Sequence, residues 1–570
     1  MASTRRLSPA LVTLLAGVLL LACLPEVAGF VLHGDRFLGV PNSHDLLDNL
    51  SYVERARSAR EGRFAFPNLH TAEDQDNPQL NVLPWLLGWL MGLLGSSPML
   101  YCILTKVVFA ALALAALAWL ATRVLRAEER TVGLFYLVLS GGFFWTLDVP
   151  SLWRGPSQLS YLERLAIVQP ESANFFLLYF HGHMALALAL LLGCLYASFL
   201  ARPARPRLAF GTAMALALFH PYDSLTLATV SGAYLAWLFW AERDRFGPCL
   251  RAALAAGAGT LGPAVVHFTV SYTRFASFER DDYWLRAPDL LFGYGQPLVL
   301  ALYFAAMAAP KLRDAESRRR FGDDTPLWCA WLLVAPLLIA NPWFYFRRKL
   351  ALGLSVPVAI LAARGTLLLA ARVLPDKPEP PPPMPSPGGG GRRGGQPRGR
   401  RVVVAVLTAM ACFTPVDVVV RDLVTIAQGR FPTVLSPDLR KVCDWLEAES
   451  PPGRVVLALP DSVSQLLPGV AGRRVFKGWS IFVQDLPGKR ARQTHFLAPE
   501  TGLAWRESFL FENGIDRVVL DDEHSRLLGA DRWPFLEQAA RFGAFTIFRL
   551  MPKGASRQEP GSAARTDPHE

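Results

Sequence analysis

Apolar runs of about twenty residues recur along this chain, separated by short clusters of arginine and lysine. A run of that length wound into a helix is about 30 Å long, the thickness of a bilayer's hydrocarbon core, where a helix satisfies every backbone N–H and C=O internally. The chain therefore reads as an α-helical polytopic membrane protein. Composition agrees: of 570 residues, 52% are hydrophobic and 18% charged, and the mean hydropathy is +0.26. The net charge of +11 does not point to nucleic acid, because the basic residues gather between apolar runs, as they do in cytoplasmic loops. The seven cysteines lie scattered, mostly inside apolar runs, with no CxxC or metal-ligand spacing, and read as small buried hydrophobes.

Arg5 and Arg6 precede a first run over 10–31. Leu20, Leu21, Ala22 and Cys23 resemble a lipoprotein cleavage site, but the many later runs favour an uncleaved helix. Residues 32–98 form an outer loop whose end, about 80–94, is apolar, short for a span and read as an interfacial helix. Further spans are expected at 99–121, 131–148, 173–200, 208–220, 223–241, 251–272, 290–310, 326–343, 349–373 and 402–424, about eleven in all. Arg123, Arg126 and Arg130, with RPARPR, ERDRFGPCLR, KLRDAESRRR and GRRGGQPRGRR, put the N-terminus in the cytoplasm and the C-terminal part outside.

The expected domain plan follows from these shifts in character. Residues 1–373 form the multi-helix membrane domain, 374–401 a disordered linker rich in Pro, Gly and Arg, and 402–424 the last span. Residues 430–552 read as a small extracytoplasmic α/β domain, and 553–570 as a disordered tail. In the α/β domain Ser436 and Pro437 suit an N-cap and first helical position, with Leu439, Val442, Cys443 and Leu446 at helical spacing. RVVLAL, RVFKG, DRVVL and FTIFR alternate with helical stretches such as PETGLAWRESFLFENG, which predicts a mostly parallel sheet.

Residues able to do chemistry fall on the outer side of this map. The segment 41–90 carries His44, Asp45, Asp48, Glu54 and His70, and the spacing of Asp45 and Asp48 puts both on one helix face. Glu163, Arg164 and Glu171 precede the fourth span; His220, Tyr222 and Asp223 stand in HPYDS, where Pro221 interrupts an apolar run. GYGQP at 293–297 is a second interruption, of a kind transporters show near binding sites. ERDD at 279–282 reads as a solvated loop, and His181 and His183, two apart inside a run, as interior histidines that do not share a metal. Arg347, Arg348 and Lys349 break the charge rule by lying outside. Such a run either anchors to headgroups or holds a phosphate through bidentate contacts, and its placement favours the phosphate.

HDLLDNLSYVERARSAREGRF, FPNLHTAEDQDNPQLNVLPWLLGWL and RRKLALGLSVPVAILAARG, set among these spans, resemble the GT-C superfamily of membrane glycosyltransferases, and more narrowly bacterial GT-C-like membrane proteins of unassigned substrate. The resemblance implies a multi-pass protein of the bacterial inner membrane that takes a sugar from a polyprenyl-phosphate carrier, with membrane lipids around it and no nucleic acid. It implies transfer to an extracytoplasmic glycan, lipid or protein in cell-envelope glycoconjugate synthesis. Asp45 matches the family's first-loop acid, either as general base or as ligand of a divalent metal such as Mg or Mn. Many members have two adjacent acids there; here His44 precedes Asp45 and Asp48 follows a turn later, which puts metal dependence in question and makes Asp48 the second choice for the base. A lipid or solute transporter, or a non-catalytic scaffold on the same frame, would share these features.

Overall fold

Apolar sequence has become helix almost throughout the computed structural model, which describes residues 8–41, 43–63, 66–74, 76–77, 82–94, 98–142, 173–180, 182–275, 287–341, 343, 347–374, 398–451 and 453–552. Helices α1 (Pro9–His33), α2 (Ser43–Arg60), α3 (Val82–Leu94), α4 (Pro98–Val124) and α5 (Ala127–Leu139) come first. They are followed by α6 (Asn174–Phe180), α7 (Gly182–Leu195), α8 (Pro206–Phe219), α9 (Asp223–Ala241), α10 (Arg243–Phe275) and α11 (Ala287–Ala308). Then come α12 (Ala315–Phe321), α13 (Thr325–Ala340), α14 (Ser355–Val373), α15 (Arg398–Ala411) and α16 (Phe413–Ala427).

Among the described residues seven helical segments are long and apolar enough to cross a membrane, or eight if α12 and α13, which meet at 78°, make one span. About eleven spans were expected. Three of the expected runs account for most of the difference. The run at 131–148 is described only to Leu139 as helix, α8 is a 14-residue helix, and α11 bends at Gly295 inside GYGQP, where φ is 57°. The stretch expected to form an interfacial helix is the 13-residue helix α3. The linker, the ERDD loop and the C-terminal tail fall outside the described residues, apart from a few residues at the linker's ends.

Basic loops meet at one end of the bundle. Arg364 of α14 is buried there, 3.0 Å from Asp324 and 3.6 Å from Glu129, and donates to the carbonyl of Val124. Arg126 donates to the carbonyl of Arg319, and Arg318 and Arg245 both pair with Glu242. From Val124 to Thr105, α4 climbs roughly 30 Å to the opposite end, where α2 and the C-terminal elements sit.

At that end α17 (Pro437–Glu449), α18 (Asp461–Ala471), α19 (Leu486–Leu497), α20 (Leu503–Glu512) and α21 (Asp522–Leu528) surround a five-stranded sheet. After the short antiparallel pair β1 (Phe66–Pro67) and β2 (Asp76–Asn77) of the outer loop, its strands are β3 (Val455–Leu459), β4 (Arg474–Val475), β5 (Ile515–Asp521), β6 (Leu536–Phe542) and β7 (Phe545–Leu550), in the order β4-β3-β5-β7-β6. Ser436 caps α17 as expected, its hydroxyl accepting from the Leu439 amide. The sheet is not mostly parallel: β4, β3 and β5 run parallel, but β7 and β6 add antiparallel strands. The reason is β6. Its sequence, LEQAARF, carries too many polar residues to read as a strand, yet as an edge strand it tolerates them and turns back into β7 through Gly543 and Ala544.

The outer loop and this sheet share one core. Leu38, Val40, Leu46, Leu50 and Val53 pack with Val442, Leu466 and Val470, and residues 69–71 lie alongside β4, the Val475 amide donating to the Leu69 carbonyl at 2.9 Å and the Gly478 amide to His70. Two glycines let α2 lie between its neighbours. A Cβ on Gly88 of α3 would come within 2.7 Å of the Ala56 carbonyl and the Arg60 amide, and one on Gly469 of α18 within 2.5 Å of Leu50 Cβ.

Replacing Gly469 by Ala tests this contact by its sign. On an isolated helix Ala is the better former by about 1 kcal/mol; here overpacking against Leu50 should cost about 1–3 kcal/mol. The unfolding midpoint of the protein in detergent is therefore expected to fall, and a rise would show that α18 and α2 do not touch.

Candidate functional site

The helical register of α2 decides which polar groups reach the bundle. His44 and Asp45 occupy its first turn, Asp48 the next, and Tyr52, four residues on, lies above Asp48 on the same face. Asp48 is half-buried. Tyr52 shares a 3.2 Å hydrogen bond with His183 Nε2, and the two rings are 4.6 Å apart. Burial, and after it the Asp48 carboxylate, holds the Tyr52 phenol well above its ordinary pKa, so the hydroxyl stays protonated.

His183 leads on to the break in HPYDS. Its ring centroid is 6.3 Å from that of His220, which caps α8, while Asp223 opens α9. His220 Nδ1 is 2.9 Å from Asp223 Oδ2, and both side chains are buried. A carboxylate accepts, so this bond assigns a proton to Nδ1. Tyr222 packs edge-on against His220 at 5.4 Å and against His267 at 5.4 Å, and Lys349 Nζ lies 4.7 Å from the centre of its ring. Lys349 belongs to a turn over Arg347–Ala351.

Four separate segments thus bring Asp48, Tyr52, His183, His220, Tyr222, Asp223 and Lys349 to one place. Asp48, Lys349 and the HPYDS residues are among those the sequence singled out. His183 is interior and hydrogen-bonded, as its position inside an apolar run requires. The side chains of His44, Asp45, Arg347 and Arg348, and all of Glu163, Arg164 and Glu171, lie outside the described residues.

Glu54 and His70 are also brought together, but as a fastening. His70 Nε2 is 3.1 Å from Glu54 Oε2, Glu54 Oε1 accepts from the Leu69 amide at 3.0 Å, and His70 Nδ1 accepts from the Trp479 amide at 3.2 Å. The first two contacts tie α2 to the loop after it, and the third ties that loop to the C-terminal unit. One residue further along α2, Arg55 stacks between Tyr52 and Phe482, 5.5 and 5.4 Å from their ring centres.

A cavity opens beside Tyr52 between α2, α3, α4 and α7. One wall is polar, with Asn49, Tyr52, Lys106 and His183; Leu83 and Leu87 of α3 form an apolar one. Lys106 is a residue the sequence reading passed over. It pairs with Glu26 of α1 and lies over the Tyr179 ring, and the Tyr179 hydroxyl donates to Asp422 at 2.7 Å. The signal was present: a lone Glu in one apolar run and a lone Lys in another are costly in hydrocarbon unless they meet. Among the described residues no three His, Cys, Asp or Glu side chains converge as a metal-ligand set.

No family model and no curated protein sequence matches the chain. Solved structures do. The oligosaccharyltransferase AglB from Archaeoglobus fulgidus, in complex with an inhibitory peptide and a dolichol phosphate, superposes with a TM-score of 0.52 at 12% identity, over 90% of this chain and 69% of that one. ArnT from Cupriavidus metallidurans bound to undecaprenyl phosphate gives 0.48 at 16% identity, over 97% of this chain and 100% of that one. The mycobacterial arabinofuranosyltransferase AftD gives 0.49 at 14% identity, over 94% and 42%. The fold of this chain is therefore similar to that of the AglB structure.

Lys106→Met strands Glu26 in the bundle without its counter-charge, and a loss of about 3–5 kcal/mol is expected. Adding Glu26→Gln should recover most of it. Thermal unfolding of the two variants in detergent reads both effects, and equal losses in the single and double variants would show that the ion pair does not form.

Proposed function

We propose that this chain is a membrane glycosyltransferase that moves a sugar from a polyprenyl-phosphate carrier to an acceptor hydroxyl on the outer side of the bacterial inner membrane, in cell-envelope glycoconjugate synthesis. The observation that carries this reading is the assembly of an acid-bearing helix, α2, and a cation-bearing turn, Arg347–Ala351, around one buried cluster. They do so on a frame shared with an oligosaccharyltransferase solved with a dolichol phosphate.

The chemistry assigns roles by charge. A carboxylate of α2, Asp45 first and Asp48 second, takes the acceptor's proton as its oxygen attacks the anomeric carbon. The departing phosphate gathers negative charge, and Lys349 with Arg347 and Arg348 stabilises it; Lys106, at the cavity wall, adds a further cation within its pair with Glu26. Leu83 and Leu87 give the cavity an apolar wall suited to the start of a lipid chain. A divalent ion at Asp45 would supply charge toward the phosphate, but with no ligand set among the described residues no step depends on one. The C-terminal unit, fastened to α2, is assigned to acceptor recognition.

Transport is the second reading, favoured by the helix breaks at His220 and Gly295. It predicts substrate flux with no glycosylated product.

Asp45→Asn and Asp48→Asn separate the candidates for the base. Loss of the general base should slow transfer about 10²- to 10⁴-fold while the unfolding midpoint stays put; unchanged transfer in either variant removes that residue from the role. Mass spectrometry of the purified protein tests the donor: a co-purifying polyprenyl phosphate that disappears in Arg347→Ala/Arg348→Ala supports the reading, and absence of such a lipid from both forms defeats it.

A further inference from the structure

His220 is buried at the centre of the cluster, yet the chemistry above leaves it unused. Its residue exposure is 3%, and with Nδ1 committed to Asp223, Nε2 has no hydrogen-bond partner among the described residues. A buried ring nitrogen left in that state has lost its hydration with nothing in exchange, so it calls for a partner that arrives with a ligand. The surroundings say which kind. Tyr222 lies against the ring, His183 faces it from α7 with Tyr52 of α2 behind, and His267 of α10 is close enough to interact with both His220 and Lys349. Apart from Asp223, these neighbours are hydrogen-bond donors or cations, a setting that selects an acceptor-rich anion.

Resting on the glycosyltransferase reading, we infer that His220 binds the carrier's phosphate through Nε2 and hands it a proton as the sugar departs. Asp223 holds the ring in place and stabilises its imidazolium form, the same service a buried carboxylate gives a histidine elsewhere. In the step, the acceptor oxygen bonds to the anomeric carbon and its proton passes to the α2 carboxylate. The bond from the anomeric carbon to the phosphate oxygen breaks, its electron pair stays on that oxygen, and the Nε2 proton joins it. The carboxylate then loses its proton to water and His220 takes one back, so the net change is movement of the acceptor's proton to the phosphate.

The test uses the full chain in detergent, loaded with undecaprenyl phosphate, and follows the phosphate's second ionisation by ³¹P NMR across pH. An imidazolium donating to the phosphate favours the dianion, so the bound lipid's midpoint in the unsubstituted protein should lie about one pH unit below that in His220→Gln. Asp223→Asn, which keeps the ring and the local volume, should fall between them and serves as the comparison if His220→Gln does not fold. A merely structural role for the dyad would leave the bound phosphate's titration unmoved. Bound lipid with coincident curves in all three proteins overturns the inference while sparing the glycosyltransferase reading. No bound-lipid signal in the unsubstituted protein overturns both.

Discussion

The contact on which the rest of this structure depends is the close packing of α2 between α3 and α18. Gly88 and Gly469 bring backbone against backbone on two sides of one helix, and an apolar core running from Leu38 to Val470 seals it. A helix held this way cannot rotate, so the side chains on its inner face have fixed addresses. Tyr52 reaches the bundle with Asp48 one turn before it on the same face, while Glu54 faces the loop and is consumed there by His70 and the Leu69 amide. Preorganisation of that kind lets a carboxylate act without waiting for its surroundings to rearrange.

The membrane explains the other half of the arrangement. Charged groups inside apolar helices are rare and mark either a partner or a function. At the basic end Arg364, Asp324 and Glu129 close on each other and on the Val124 carbonyl, which reads as a lock between helices. At the other end Glu26 and Lys106, with Tyr179 and Asp422 beside them, meet at the wall of a cavity. The first set is filled by its own members. The second borders the cavity beside Tyr52.

Much of this was legible in the sequence because bilayer thickness and charge bias leave large signals. Run length marked the long helices, Ser436 and Pro437 marked the start of α17, and the Pro in HPYDS marked a real break. Asp48, His220, Tyr222, Asp223 and Lys349 could be singled out because polar residues beside apolar runs stand out. What stayed hidden depended on distance across the chain. Glu26 and Lys106 make sense only as a pair eighty residues apart, and His183 becomes part of a site only when Tyr52 arrives from the outer loop. β6 was hidden for a different reason, since an exposed edge strand need not alternate. The seven or eight segments counted among the described residues differ from the expected eleven where helices are short, kinked or only partly described, because hydropathy measures length and not continuity.

Arg55 shows why the C-terminal unit belongs to the site and is not an appendage. Its guanidinium lies between the ring of Tyr52, at the cavity, and that of Phe482, in the turn after β4. Phe482 is itself held through its carbonyl by Asn68 and stacks on His70, whose Nδ1 takes the Trp479 amide. A displacement of that turn would therefore pull on Arg55 and then on Tyr52, the residue that joins Asp48 to His183. Stacked rings and a buried cation transmit position with little slack, since interiors pack too densely to absorb a shift. Under the proposed function, an acceptor seated on the C-terminal unit would meet a helix whose alignment that same unit maintains.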